Sequence, residues 1–235
     1  MYEENWQVRF SECNMNHELN YNGIVNYFQD CSNLQSEALG VGYDFLTEHN
    51  RAWVLDFWQI IIKRRPMAFE KIKVDTWANG FKGFFGTRNF VMKSESDEVL
   101  VYANSTWVYL DTQKGRPTRV TEEEVGMYPV AEPLDMEDVG RKIEIPDNMT
   151  LIDETVVMPH HIDVYHHMNN GRYIELATDY LPEGKDIYQI CCQYKKQARL
   201  NDRIRVYRNV TKERITVVLK GVDDSIFATV RFDTK

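Results

Sequence analysis

Asp163, His167, Asn169 and Asn170 fall within eight residues, inside the stretch Met158 to Asn170 that reads MPHHIDVYHHMNN. A carboxylate four residues ahead of a histidine, just before a helix start, suits a defined kind of chemistry. Asp163 can act as a base toward water or attack a carbonyl itself, with His167 orienting the carboxylate or assisting proton transfer. Backbone N–H groups in the first turn of the helix, near Asn169 to Arg172, have no partners inside the helix and can hold an oxyanion. No Gly-x-Ser-x-Gly elbow occurs in the chain, so a serine triad is not expected. The plain alternative is a loop ion pair, with Asn169 or Asn170 as an ordinary helix cap. His160, His161, His166 or His167 with Asp163 form the one candidate metal set. They lack an HExxH helix or the Cys/His spacing of a structural zinc site, so neither a metal nor an organic cofactor is expected.

These residues need a scaffold, and the chain is long enough to supply one. Its 235 residues, 43% hydrophobic and 12% aromatic, allow one large domain or two smaller ones, each with a real core. From Ile24 through Tyr27, Phe28, Cys31, Leu34 and Ala38 the apolar residues recur at helical spacing, ending at Gly40 and Gly42. A strand is expected before this helix at Asn5 to Ser11. After it the period changes to two over Trp53–Arg64, Glu70–Trp77, Phe84–Lys93 and Val99–Asp111, with turns at Arg65-Pro66, Asn79-Gly80 and Ser94 to Glu98. Trp53, Trp58, Trp77 and Trp107 on these strands read as core. Thr112 to Asn148 carries four prolines and the acidic run Glu122 to Glu124, as a surface connection with one short helix would.

Beyond this connection the first pattern recurs. A strand is expected near Ile152 to Met158, a helix with Tyr173, Ala177 and Tyr180 on one side, then strands near Ile187–Lys196, Arg203–Val210, Arg214–Lys220 and Ile226–Phe232. The repetition points to a duplicated α+β unit. Matching Asn22-Gly23 to Asn170-Gly171 sets Met15 opposite Asp163 and Leu19 opposite His167. In that register the first copy lacks the ionisable pair, and the chemistry belongs to the second.

The four cysteines, Cys13, Cys31, Cys191 and Cys192, show no CxxC spacing, which fits a reducing compartment and small buried side chains. No run of about 18 apolar residues is present, and Met1 to Phe10 has neither a basic start nor an apolar signal core, so a soluble cytoplasmic protein is expected. A net charge of −8 argues against general nucleic-acid binding.

Taken in order, the motifs resemble those of the acyl-acyl carrier protein thioesterases, which release fatty acids in plants and have bacterial relatives. The second half carries Asp163-Val-Tyr165-His-His167-Met-Asn169-Asn170. The first half carries Ala52-Trp53-Val54, Arg65-Pro66, Asp75-Thr76-Trp77, Arg88-Asn89-Phe90 and Asn104 to Asp111 in similar places. The resemblance implies two tandem hotdog domains, each an antiparallel sheet wrapped around a central helix: an acyl-binding domain at 1–125, a linker at 126–148 and a catalytic domain at 149–235. It makes Asp163 and His167 catalytic, and sets Tyr165 where the family has Asn and Gln197, in Tyr194-Lys195-Lys196-Gln197, where the family has Glu. Gln197 is neutral, so it positions water but takes no proton.

The implied substrate is an acyl-acyl carrier protein thioester; acyl-coenzyme A is the close rival, and a non-catalytic acyl-thioester-binding module comes from a different class. A hydratase-like reading is weaker, because the first-half motifs do not favour it. Gln193 to Lys220 holds nine Lys or Arg against Asp202 and Glu213. Lys195, Lys196, Arg199, Arg203 and Arg205 are candidates for docking the small acidic carrier, since alternating strand positions present charges on one face; a merely solvated basic face is the alternative. A tandem pair already makes the contact that single hotdogs make by dimerising, so monomer and homodimer are both expected forms.

Overall fold

The computed structural model describes residues 1–235. The chain divides into two compact units, Met1–Asp56 with Lys63–Asp138 and Phe57–Ile62 with Val139–Lys235. No helix is long and apolar enough to cross a membrane.

The first unit contains β1 (Tyr2–Gln7), α1 (Tyr21–Ala38), α2 (Tyr43–Glu48), the start of β2 (Arg51–Ile62), β3 (Lys71–Lys82), β4 (Phe85–Ser94), β5 (Val99–Asp111), β6 (Arg116–Pro117) and α3 (Glu122–Gly126). Its sheet runs antiparallel in the order β1-β3-β4-β5, with β6 on β5. The helix buries Ile24, Val25, Tyr27, Phe28 and Cys31. Phe28 stacks on Phe90 of β4 at 5.1 Å, and the Cys31 thiol donates to the Val74 carbonyl at 3.3 Å.

Two residues assigned to the buried face of α1, Leu34 and Ala38, are exposed instead, and Ser32 and Gln35 take their place. The reason is polar. Arg88 of β4 is buried beneath the helix and donates to Gln35 Oε1 and to Thr76 Oγ1, so the helix turns a glutamine inward to receive it. Burial pulls the Arg88 guanidinium down to about 10. It remains charged at neutral pH.

The Asn79-Gly80 pair is not a turn. β3 runs on through it with a bulge between Ala78 and Gly80 and turns at Gly83, whose φ of +66° is glycine's region. The first strand, expected at Asn5 to Ser11, runs from Tyr2 to Gln7 along β3 and stops short of Ser11, where Phe10–Glu12 forms a 3-10 turn. α2 was not anticipated, since its six residues are too few to show a period. α3 begins with a capping box in which Thr121 and Glu124 exchange side-chain and backbone bonds.

The second unit contains Phe57–Ile62 of β2, β7 (Thr150–Val156), α4 (Asn170–Thr178), β8 (Ile187–Tyr194), β9 (Arg203–Val210), β10 (Arg214–Gly221) and β11 (Ile226–Thr234). Phe57–Ile62 lies against β8, and the order continues β11, β10, β9, β7, all antiparallel. α4 buries Tyr173, Ile174 and Ala177. Tyr180 falls beyond the helix, where its hydroxyl donates to Asp153 Oδ2 at 2.7 Å. Residues of the connecting segment pack here as well, with Val139 and Ile143 against Phe57 and Cys191.

Cys31, Cys191 and Cys192 are buried free thiols, whereas Cys13 is half-buried. Trp58 and Trp77 are buried, and Trp53 and Trp107 are half-buried.

The internal geometry of each unit corrects the register of the repeat by one residue. Each has a 3-10 turn, Phe10–Glu12 or Pro159–His161, then a bridge, Cys13↔Leu19 or Ile162↔Met168, then a positive φ of 61° at His17 or His166. Asp163 therefore corresponds to Asn14 rather than Met15, and His167 to Glu18 rather than Leu19. The Asn-Gly match misled because that dipeptide sits one step further along α1 than along α4. Glu18 accepts from Asn14 Nδ2 and from Arg65. The first unit thus uses these positions as a structural clamp.

Candidate active site

The second unit gathers the sequence-predicted residues from three segments. The first is the turn after β7. Asp163 donates its N–H to the His167 carbonyl at 2.9 Å, and His166 donates to the Asp163 carbonyl at 3.0 Å. Asp163 Oδ1 accepts the Tyr165 N–H at 2.9 Å, the Asx-turn bond. These bonds leave Oδ2 without a partner in the chain, so one carboxylate oxygen is available to water or to a carbonyl carbon.

His167 follows on the same turn, half-buried. Its Nδ1 is buried and makes no hydrogen bond, and a buried nitrogen of that kind is satisfied when a ligand or water reaches it. Burial, chiefly, and the positive charge of Arg199 hold its pKa below the ordinary histidine value, with Asp163 opposing. The ring is therefore neutral at pH 7 and ready to pass a proton. Its protonation midpoint therefore lies below the ordinary histidine value.

α4 supplies the second segment. Asn169 is its N-cap, accepting the Gly171 N–H on Oδ1 at 2.8 Å. The Asn169 N–H goes to the His161 carbonyl and the Arg172 N–H to the Asn169 carbonyl, both at 2.9 Å. Of the N–H groups expected to be open from Asn169 to Arg172, only that of Asn170 remains unpaired. One backbone donor is thus left for an oxyanion. Asn169→Ala should destabilise the second unit by about 1 kcal/mol, read as a lower urea midpoint at unchanged slope.

The third segment follows β8, which ends at Tyr194, so Lys195 to Arg199 lie outside the strand where alternation would have ordered them. Met168 donates its N–H to the Ala198 carbonyl at 2.9 Å, and Ala198 donates to the Tyr173 hydroxyl at 2.8 Å. The Tyr194 hydroxyl donates to the Asn170 carbonyl at 2.9 Å. These bonds draw Gln197 and Arg199 alongside His167. Gln197 itself is exposed.

Tyr165 is 54% exposed, and its backbone N–H holds Asp163 Oδ1. Lys196 pairs with Asp223 at 3.1 Å, and Arg205 with Glu154 at 3.1 Å and Asp224 at 3.8 Å. Lys195, Arg199 and Arg203 are exposed and carry no ion pair. Of the five cations proposed for docking, these three are the ones available to an acidic partner. Arg199 has a second place that spacing did not show, within electrostatic reach of His167.

His160 and His166 are exposed, but His161 is half-buried and its Nδ1 accepts the Met158 N–H at 3.0 Å. No three His, Cys, Asp or Glu side chains converge as a metal set.

The sequence model of the Acyl-ACP thioesterase N-terminal domain matches residues 1–128, and that of the Acyl-ACP thioesterase C-terminal domain matches residues 147–225. The palmitoyl-acyl carrier protein thioesterase of Gossypium hirsutum is 23% identical over 215 residues, covering 84% of this chain and 52% of that protein. The chain thus spans about half the length of the curated relatives it matches. Among solved structures, an acyl-ACP thioesterase from Bacteroides thetaiotaomicron superposes with a TM-score of 0.91 at 22% identity, over 99% of this chain and 97% of that one. The 12:0-ACP thioesterase from Umbellularia californica does so with 0.88 at 15% identity, over 100% and 96%. The fold is the hotdog arrangement those structures have.

Proposed function

Because this chain belongs to the acyl-acyl carrier protein thioesterase family, we propose that it hydrolyses acyl-acyl carrier protein thioesters to free fatty acid and carrier thiol, in the cytoplasm. The observation that carries this reading is the turn in which Asp163 and His167 are joined by the Asp163 N–H to His167 carbonyl bond, with a free carboxylate oxygen and an unpartnered buried imidazole nitrogen. A thioester carbonyl has little resonance stabilisation and a good leaving group, so a placed base or nucleophile and one oxyanion donor supply most of what the reaction needs.

Asp163 Oδ2 activates water or attacks the carbonyl carbon. The negative charge that develops on the carbonyl oxygen falls to the Asn170 N–H and to Arg199, and the neutral His167 takes up the proton lost by the attacking water and passes it to the departing thiolate. Gln197 orients water through its amide. The free cysteines support a reducing compartment.

Carrier protein is favoured over coenzyme A by the unpaired cations beside the site. Reversing Lys195, Arg199 and Arg203 to Glu together should lower kcat/KM on an acyl-carrier substrate at low salt by about tenfold or more. The test compares hydrolysis of one acyl chain on carrier protein and on coenzyme A. A preference for carrier that disappears in the triple variant is expected. Equal losses on both thioesters would refute docking, because Arg199 would then act only on the chemistry.

A further inference from the structure

The sequence offered His161 only as a candidate metal ligand, yet it lies at a junction of the turn that carries Asp163 and His167. Its N–H donates to the Met158 carbonyl at 2.9 Å, and the Met158 N–H donates back to its Nδ1 at 3.0 Å. Its own carbonyl receives the N–H of Asn169, the cap of α4, at 2.9 Å. One residue thereby closes the start of the turn and ties it to the helix.

The first unit builds the same closure with a different chemistry. There Glu12 donates its N–H to the Arg9 carbonyl at 3.1 Å, accepts the Arg9 N–H on Oε2 at 3.2 Å, and receives the Asn20 N–H on its carbonyl at 2.8 Å. Glu12 corresponds to His161, Arg9 to Met158 and Asn20 to Asn169 in the register fixed by the two turns. A glutamate side chain accepts throughout the physiological range. An imidazole accepts only while it is neutral.

We propose that His161 is a positioning residue whose neutral imidazole, protonated on Nε2 and accepting the Met158 N–H on Nδ1, holds the Asp163–His167 turn in its working shape. The proposal deepens the hydrolytic reading of that turn and rests on it for its kinetic consequence. A second proton on Nδ1 would turn the acceptor into a donor facing a donor. The Met158 bond would be lost, and with it the closure that positions Ile162 and Asp163.

The groups facing the ring are His160, whose ring centroid is 4.2 Å away, and Arg172 and Glu175 of α4. Burial first, then His160 and Arg172, hold its pKa below the ordinary histidine value, and Glu175 opposes them. A depressed pKa means that the unfolded chain takes the proton more readily. The closure is therefore fully present above about pH 6.5 and lost as pH falls through the lower folded value.

The test uses the full chain with nitrogen-labelled histidine, together with kcat/KM for a palmitoyl-carrier thioester measured from pH 5 to 8. His161→Asn places an amide oxygen near the Nδ1 position and accepts at every pH; His161→Phe keeps a ring and removes the acceptor. At about pH 7.5 the Asn variant should stay within about threefold of the unmodified protein, and the Phe variant should lose about tenfold or more. The acid decline should be shallower in the Asn variant, and the spectrum should show the Nε2–H tautomer with a Met158 amide resonance that follows His161's titration. An unchanged acid limb in the Asn variant, an Nδ1–H tautomer, or a Met158 amide that ignores the titration would each overturn the proposal. If no thioester is hydrolysed by any variant, the hydrolytic reading fails, and the tautomer and the Met158 resonance still decide the positioning claim.

Discussion

Asp163→Asn should lower kcat on an acyl-carrier thioester by about a thousandfold, the range expected when a positioned base or nucleophile is removed, while leaving the fold and acyl binding in place. Asparagine is the informative replacement because the protein already uses it in the equivalent turn. Asn14 Oδ1 accepts the Asn16 N–H at 2.9 Å, as Asp163 Oδ1 accepts the Tyr165 N–H at 2.9 Å. Only the negative charge and the basic oxygen are lost. A loss of this size corresponds to about 4 kcal/mol of transition-state stabilisation. Turnover within tenfold of the unmodified protein would remove Asp163 from the chemistry and leave its carboxylate a turn-former. Thermal unfolding should be nearly unchanged in the same variant, which separates loss of function from loss of structure.

Phe28→Ala should carry the largest stability cost among single changes in the first unit, about 3–5 kcal/mol. Phe28 has no exposed surface, sits at the middle of α1 and stacks on Phe90. Truncation leaves a cavity under a helix pinned on either side, by the Tyr27 hydroxyl donating to Glu12 at 2.6 Å and by Gln35 on Arg88. The helix cannot collapse into the space without breaking these bonds. Denaturant titration followed by tryptophan fluorescence reads the change, and a loss under about 1 kcal/mol would mean that α1 is not the core element its packing describes.

Much of this was legible in the chain because the signals are local. Val99–Asp111 and Arg203–Val210 show the period of two with clear flanking turns, and both strands have those limits. The spacing of Asp163 to His167 before an asparagine cap likewise announced a turn leading into a helix. What was not legible depends on backbone shape. Asn79-Gly80 has turn composition but forms a bulge, because cross-strand pairing with β4 outweighs the local preference. The repeat register was misplaced by one since only the paired turns and their positive-φ residues fix the equivalence. His161 offered no signal as an acceptor, for that role depends on where the Met158 N–H points. Arg199 looked like a rim charge until the Met168 to Ala198 bond placed its segment beside His167.

The central claim is that the Asp163–His167 turn performs hydrolysis and does not merely hold an acyl thioester. The most direct measurement is release of free thiol from palmitoyl-acyl carrier protein in excess over the protein, with bound acyl carrier quantified in the same samples. The account predicts many thiols released per protein molecule, at a rate that collapses in Asp163→Asn while binding persists. Stoichiometric binding with no thiol released by the unmodified protein would contradict it, and would make this hotdog pair an acyl-thioester receptor.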